Sequence, residues 1–279
     1  MLKQRIITAL ILGPLALWSV LTFSHTAIAI EFAIVLMIAA WEWARLAGIQ
    51  SQLLRITYSL FVGIVMAATT WYLHEYYHTL IYIIYFVSAW WVFALGLIIV
   101  IDKRHEDYTE SVADKHIYLN LFSGLVILLG SFVALTGIHQ APEYGAKYIL
   151  VLFLFIWVAD SAAYFTGKAF GKHKLAPHVS PGKTWEGVAG GIVASMGVAY
   201  IVTLVFDLVF PQSIYFLIIA AITVAFSVVG DLMESLFKRR AGMKDSSHLL
   251  PGHGGFLDRL DSMMAAAPLF LLGLLVAGI

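Results

Sequence analysis

The sequence LIYIIYFVSAWWVFALGLIIVI, residues 80–101, has 22 consecutive positions without a charged side chain. A helix of about 20 apolar residues crosses the ~30 Å hydrocarbon core of a bilayer. The run is continuously apolar, whereas a strand of a membrane barrel alternates apolar and polar residues. We therefore predict a transmembrane helix here.

Runs of this kind recur along the sequence and predict an all-α polytopic membrane protein. Of the 279 residues, 61% are hydrophobic and 12% are charged, against about 45–50% and about 25% in soluble domains. No polar block of domain size interrupts the runs, so a single integral membrane domain over residues 1–279 is expected. Nine spans are predicted, at residues 6–23, 27–44, 57–73, 80–101, 117–138, 148–167, 188–209, 214–236 and 263–279.

Lysine and arginine are distributed asymmetrically among the predicted loops. With a cytoplasmic N-terminus, all 17 Lys and Arg residues except Lys147 fall on the cytoplasmic side, as the positive-inside rule requires. The sequence thus predicts a cytoplasmic N-terminus in the cytoplasmic (inner) membrane. The two richest polar loops, residues 168–187 and 237–262, fall on the same face, and we expect them to form one active site facing the cytoplasm.

The last polar stretch, SLFKRRAGMKDSSHLLPGHGGFLDRLD at residues 235–261, combines basic residues with aspartates. We call it the signature segment. Basic side chains suit phosphate oxygens, and aspartates suit Mg²⁺, which usually bridges a few carboxylates and substrate phosphates. The chain has no cysteine, and a zinc site built on His173, His178, His248 and His253 is not expected from their spacing. The pattern indicates metal-assisted phosphoryl or nucleotidyl chemistry.

Four carboxylates are candidate metal ligands. Asp258 and Asp261 are three residues apart and would share one face of a helix entering the last span. Asp231 is placed near the inner end of the eighth span, where a carboxylate is costly unless it has a partner. Asp160 lies in the sixth span, where a helix-packing or proton-relay role is the alternative.

Two glycine-containing stretches are candidate anion sites. In PGHGG, residues 251–255, glycine allows positive φ and close approach of backbone N–H groups to an anion, although a plain turn before a helix would also use glycine. The stretch ADSAAYFTGKAFGKHKLAPHVSPGKTWEG, residues 159–187, repeats small and basic residues without the spacing of the phosphate loop of nucleotide-binding proteins. It predicts a second anion-binding surface.

These two segments resemble the phosphatidate cytidylyltransferase (CDP-diacylglycerol synthase) family. The signature segment matches the family's Ser, Lys-Arg, Lys-Asp, His-Gly-Gly and Asp-Arg-x-Asp elements in order and spacing, and residues 160–187 match its Asp-x-x-Ala-Tyr, Gly-Lys and Ser-Pro-x-Lys-Thr-x-Glu-Gly elements. The resemblance implies transfer of a cytidylyl group from CTP to phosphatidate, giving CDP-diacylglycerol and pyrophosphate in phospholipid biosynthesis. It also implies a requirement for Mg²⁺, with K⁺ as a candidate second cation, and a homodimer.

The attacking phosphate is already ionised at neutral pH, so charge neutralisation and in-line positioning are the expected catalytic tasks. His253 would either donate to the leaving pyrophosphate or order the glycine turn.

Metal binding is assigned to Asp231, Asp258 and Asp261, with Asp160 as a fourth carboxylate. The catalytic set is Asp231, Lys244, His253, Asp258 and Asp261. Substrate phosphates are assigned to Ser180, Lys183, Thr184, Lys238, Arg239, Gly254, Gly255 and Arg259.

Other functions account for part of this pattern. An ion-coupled transporter would use carboxylates such as Asp160, Asp207 and Asp231, but it would place its key charges near the midplane of the bilayer, whereas these polar residues concentrate at one face. A CTP-dependent lipid kinase, or a cytidylyltransferase for another lipid phosphate, would use the same loops. A nucleic-acid partner is not expected, because a large soluble domain is absent.

The remaining polar and aromatic features have simpler interpretations. The pairs Trp41/Trp43 and Trp90/Trp91 are predicted to belong to interfacial aromatic belts. Glu42, in the second span, is expected to form a helix-to-helix hydrogen bond or an oligomer contact rather than to act in catalysis. Residues 102–115 are predicted to form a solvated loop.

Overall fold

The computed structural model describes residues 2–103, 116–141 and 144–279. Within this part of the chain, nine α-helices, one 3-10 turn and one two-stranded sheet are formed. The prediction of an all-α protein is confirmed, with one short hairpin added, whereas nine membrane spans were predicted and eight of the described helices qualify as spans. The helices are α1 (Leu2–Thr22), α2 (His25–Leu46), α3 (Gln52–Glu75), α4 (Leu80–Lys103), α5 (Ile117–His139), α6 (Gly145–Phe170), α7 (Trp185–Val205), α8 (Gln212–Arg240) and α9 (Leu257–Ala277).

Eight of these helices, α2 to α9, are long and apolar enough to cross a bilayer, and α1 contributes a shorter apolar stretch over Leu10–Thr22. Large apolar side chains point outwards from them: Trp71 is 75% exposed, Phe165 68% and Val193 69%. Exposure of these side chains to water would cost a free energy of about 25 cal/mol per Å² of apolar surface. Contact with lipid removes this cost. The chain is a multi-pass integral membrane protein.

The first of two compact units is organised around α2, which packs against α3 and α5. Trp43 is buried at this contact, and its indole N–H donates to the carbonyl oxygen of Asn120 over 2.9 Å. The rings of Phe237 and Trp43 lie 4.6 Å apart, so the signature segment is anchored on α2 at its start. The unit contains the described residues of Met1–Leu80, Asp107–Leu150 and Phe237–Asp261.

Gly124 of α5 faces the Trp43 indole, and we expect it to tolerate no side chain. A Cβ at Gly124 would overlap the indole ring. Overpacking a buried contact of this kind costs about 1–3 kcal/mol, so Gly124→Ala should lower the unfolding midpoint measured in detergent micelles. Gly96→Ala in α4 is the matched control, because a Cβ there meets nothing within 4 Å. Equal midpoints for the two variants would contradict this packing.

The second unit has an aromatic core and closely packed helices. The ring of Phe155 lies 6.1 Å from that of Phe216 and 6.0 Å from that of Phe270. Helices α6 and α7 approach along small residues: the Ser195 hydroxyl donates to the Phe155 carbonyl over 3.1 Å, and a Cβ on Gly191 would lie 3.0 Å from the oxygen of Ala159. The unit contains the described residues of Ile81–Glu106, Val151–Leu236 and Ser262–Ile279.

Helices α6 and α8 extend further at their C-termini than the sequence predicted. Helix α6 runs to Phe170, so Lys168 lies in its last turn rather than in a loop. Helix α8 runs to Arg240, so Lys238 and Arg239 are helical as well. Basic side chains at a helix C-terminus complement the negative end of the helix dipole, which accounts for the extension into charged sequence.

The aromatic-belt prediction is wrong for Trp43 and Trp91, each of which is only 1% exposed. Both indoles fill interior space between helices, as large aromatic side chains do when a close-packed core accommodates them. Residues 104–115, most of the predicted solvated loop, lie outside the described residues.

Candidate active site

A short antiparallel hairpin follows α6 and carries part of the predicted phosphate-binding set. Strand β1 (Lys174–Ala176) pairs with β2 (Ser180–Thr184), and Ser180 is in register with Ala176. The turn is held by Asp102 at the end of α4, whose Oδ1 accepts the N–H groups of His178 at 2.9 Å and Val179 at 3.2 Å. No strand was predicted here, and the carboxylate that fixes the turn comes from a distant part of the sequence.

We expect Asp102→Ala to loosen the hairpin without unfolding the helices. Two hydrogen bonds to a carboxylate are lost, and bonds to charged groups contribute about 1.5–3 kcal/mol each, so exchange of the backbone amides in residues 178–180 should accelerate about tenfold or more. Hydrogen–deuterium exchange read by mass spectrometry measures this directly. Asp102→Asn keeps a carbonyl acceptor and should have a smaller effect. Unchanged exchange in both variants would contradict the contact.

A cavity of about 450 Å³ lies beside β2 in the second unit, between α6, α7 and α8. The Lys183 ammonium lies 2.7 Å from Asp231 Oδ2, and the Ser235 hydroxyl donates to Asp231 Oδ1 over 3.3 Å. Thr184 caps α7 by accepting the N–H of Gly187 at 3.2 Å. The polar lining residues are Asp160, Tyr164, Lys168, Lys183, Thr184 and Asp231, and small or apolar residues complete the wall.

The cavity therefore joins four of the predicted residues, Asp160, Lys183, Thr184 and Asp231. Ser180 lies at the start of β2 and does not line the cavity. Lysines and carboxylates in one half-enclosed space can bind a phosphate directly and through a divalent cation at the same time.

In the first unit, the Asp258 carboxylate is the centre of the signature segment. Its side chain is 4% exposed, and Lys238 donates to Oδ1 over 2.8 Å. Oδ2 accepts three hydrogen bonds, from the Ser246 N–H at 2.9 Å, the Ser246 hydroxyl at 2.7 Å and the Gly255 N–H at 2.8 Å. A buried carboxylate is stable only when partnered in this way.

The glycine run adopts the backbone conformation that its sequence predicts. Gly252 and Gly254 have φ of 78° and 84°, in the region that favours glycine. A Cβ on Gly254 would also lie 2.7 Å from Asp258 Oδ2. The Gly255 N–H does approach an anion closely, and that anion is the chain's own Asp258 carboxylate.

The other predicted residues of the signature segment lie nearer its surface. Arg259 is exposed, and its Nε donates to the carbonyl oxygen of His253 over 3.1 Å. The Nδ1 of His253 is buried and has no hydrogen-bond partner in the described part of the chain. Asp261 is half-buried, whereas Arg239 and Lys244 are exposed.

The carboxylates suit a cation that substrate phosphates help to hold. Among the described residues, no group of three or more His, Cys, Asp or Glu side chains converges on one point. Mg²⁺ usually takes only one or two protein carboxylates, with substrate phosphates and water completing its shell. Asp231 and Asp160 line a cavity with room for such a ligand, whereas Asp258 already has four donors.

Sequence reasoning missed Glu42 as part of this site. Glu42 is fully buried, and its carboxylate accepts hydrogen bonds from Ser246, Ser247, Phe256 and Leu257. The expected helix-to-helix bond is thus made to the start of α9, and the bonds to the two serines were not foreseen. The available signal was a single carboxylate within an otherwise apolar span.

Comparison with known proteins extends the resemblance from two segments to the whole chain. Residues 3–276 match the profile of the cytidylyltransferase family. The chain belongs to this family. The phosphatidate cytidylyltransferase of Pseudomonas aeruginosa is 43% identical over 279 residues, covering 100% of this chain and 98% of the relative. That of Haemophilus influenzae is 38% identical over 286 residues, covering 97% of each. That of Bacillus subtilis is 48% identical over 139 residues, covering 49% of this chain and 51% of the relative.

Proposed function

We propose that this protein is a phosphatidate cytidylyltransferase of phospholipid biosynthesis. A phosphate oxygen of phosphatidate attacks the α-phosphorus of CTP, the bond from that phosphorus to the oxygen bridging the β-phosphate breaks, and pyrophosphate leaves with the electron pair. The product is CDP-diacylglycerol. The observation that carries the proposal is the end-to-end similarity to two proteins of this name, at 43% and 38% identity.

The cavity of the second unit is suited to part of this reaction, because it holds both signs of charge. We assign phosphate binding to Lys183 and Thr184, with Ser180 as a further donor from the same hairpin. Lys183 is half-buried beside Asp231, so its ammonium is held in place before an anion arrives. Preorganised charge of this kind stabilises a transition state without reorganisation at the moment of reaction.

The signature segment supplies most of the remaining positive charge. Arg239, Lys244 and Arg259 are exposed and are assigned to substrate phosphates, as is the half-buried Lys238. His253 is assigned to the leaving pyrophosphate, since its buried Nδ1 lacks a partner among the described residues. Two highly anionic substrates must approach each other, so neutralisation of charge is the main task of these residues. The glycines at 254 and 255 shape the turn that presents them.

Mg²⁺ is the proposed cofactor, with Asp231, Asp258, Asp261 and Asp160 as the residues that would hold it and K⁺ as a candidate second cation. When bound, Mg²⁺ supplies charge neutralisation on the phosphate oxygens. At Asp258, Oδ1 is the oxygen suited to this role, because Oδ2 is committed to three donors from the chain itself. If the Lys238 ammonium left Oδ1, it would become available to bind a substrate phosphate.

We also propose that the reaction takes place at the cytoplasmic face of the inner membrane. The distribution of Lys and Arg supports this, since all of these residues except Lys147 sort to one side under the nine-span topology. Phosphatidate has its headgroup at the membrane interface, so it would enter sideways between helices. CTP would enter from the aqueous side.

A labelling experiment tests the reaction and separates it from its alternatives. Purified protein in lipid nanodiscs receives Mg²⁺, phosphatidate and CTP carrying ³²P at either the α- or the γ-phosphate. We expect the α label to enter a lipid-soluble product and the γ label to appear in pyrophosphate. A lipid kinase would place the γ label in the lipid, a transporter would label no lipid, and a cytidylyltransferase for another lipid phosphate would require that lipid in place of phosphatidate.

A further inference from the structure

We propose that Glu42 of α2 is a positioning residue that holds the signature segment in its working conformation. The inference rests on the proposed cytidylyltransferase function for its catalytic consequence, but the contacts that carry it stand independently. Glu42 is 0% exposed and lies within a membrane span. A buried carboxylate is costly unless its environment satisfies it, and such a residue in a span is a functional candidate by default.

The donors to this carboxylate come from the signature segment, about 200 residues later in the chain. The Ser247 hydroxyl and the Phe256 N–H, at 3.1 Å, donate to Oε1. The Leu257 N–H, at 2.6 Å, and the Ser246 hydroxyl, at 3.3 Å, donate to Oε2. One side chain thus connects the two ends of the turn that contains the glycine run.

Two of these donors lie at the N-terminus of α9, where backbone N–H groups have no partner within the helix. Ordinarily a side chain just before the helix caps such groups, and the partial positive charge at that end favours an anion. Here the cap is Glu42, supplied from a different helix. It therefore fixes the start of the helix on which Asp258, Arg259 and Asp261 lie.

The Ser246 hydroxyl links Glu42 to the proposed metal-binding carboxylate. It shares its one hydrogen between Asp258 Oδ2 at 2.7 Å and Glu42 Oε2 at 3.3 Å, as a three-centre hydrogen bond. Gly255 is sterically required by the same arrangement, because a Cβ there would overlap both Ser246 Oγ and Glu42 Oε1. Displacement of Glu42 would therefore disturb Asp258 through a shared partner and through the backbone.

Glu42→Gln tests the proposal with little change in volume. One carboxylate oxygen becomes an NH₂ group, which cannot accept hydrogen bonds from the N–H and hydroxyl groups of the signature segment. Loss of a group that orients a metal ligand typically costs 10- to 100-fold in metal affinity or activity. We expect the Mg²⁺ concentration for half-maximal turnover to rise about tenfold or more, with the KM for phosphatidate unchanged within about twofold. Amide exchange in residues 255–257 should accelerate in the absence of Mg²⁺ and substrates.

Glu31→Gln is the matched control, because Glu31 is on the same helix and accepts a hydrogen bond from Ser19 at 3.0 Å. It should change neither the Mg²⁺ dependence nor the exchange of residues 255–257. Ser247→Ala removes one donor while leaving the carboxylate in place, so it should shift both readouts in the same direction by a smaller factor. This variant keeps the test decisive if Glu42→Gln folds poorly.

The outcomes separate this inference from the proposed function. A merely structural role would lower the fraction of active protein and leave the Mg²⁺ dependence unchanged, and that result would overturn the inference. Unchanged amide exchange in Glu42→Gln would overturn it as well. If the wild-type protein transfers no α label to lipid, the proposed function fails, but the exchange measurement still decides whether Glu42 orders the segment.

Discussion

Asp231→Asn is expected to reduce kcat by about 10²- to 10³-fold while the protein remains folded. The substitution preserves side-chain size but removes the negative charge that faces Lys183 at 2.7 Å and that is proposed to hold Mg²⁺. Without it, the cavity loses its most enclosed carboxylate and the ammonium loses its fixed position. The measurement is transfer of ³²P from α-labelled CTP to lipid across a range of Mg²⁺ concentrations.

Asp207→Asn is the matched control for this prediction. Asp207 is an exposed carboxylate with φ of 52°, a conformation that asparagine also adopts readily, so the backbone should be unaffected. Its turnover should equal that of the wild-type protein. A double variant, Asp231→Asn with Lys183→Met, should recover no activity, because both groups are assigned to the reaction. Recovery of activity in the double variant would mean that Lys183 only neutralises Asp231. Full activity in Asp231→Asn alone would show that Asp231 does not bind the metal.

The helical fold could be predicted from the sequence because membrane burial leaves an unambiguous pattern. Long apolar runs require helices, since every backbone polar group in lipid must be bonded within its own segment. Helix ends were less predictable: α8 continues through Lys238 to Arg240, where charge at the C-terminus extends the helix instead of ending it. The hairpin at Lys174–Thr184 was missed because neither strand alternates clearly.

The candidate site could be predicted in its residue types but not in its connections. Asp258, Lys238 and Gly255 were all identified, yet their mutual hydrogen bonds depend on the path of the turn between α8 and α9. Asp102 and Glu42 were assigned to simpler roles, because each acts on residues far away in sequence. Periodicity and local motifs carry no information about such contacts, which tertiary packing determines.

Lys238→Met is expected to destabilise the protein by about 3–5 kcal/mol, the cost of leaving a buried charge without its partner. Lys238 and Asp258 are 16% and 4% exposed, so little water can replace the missing ammonium at Oδ1. Methionine keeps the length and packing of the lysine stem, so the change isolates the charge. Unfolding in mixed micelles, followed by circular dichroism against denaturant concentration, gives the difference in free energy.

Arg239→Met is the control for stability, because its side chain is exposed on the adjacent position of the same helix and the unfolding free energy should hardly change. Adding Asp258→Asn to Lys238→Met removes the unpaired charge while keeping an oxygen acceptor for Ser246 and Gly255. The double variant no longer holds an uncompensated buried charge, so most of the lost stability should return. Turnover should not return, because both residues are assigned to phosphate and metal. Joint recovery of stability and turnover would show that the pair is structural alone.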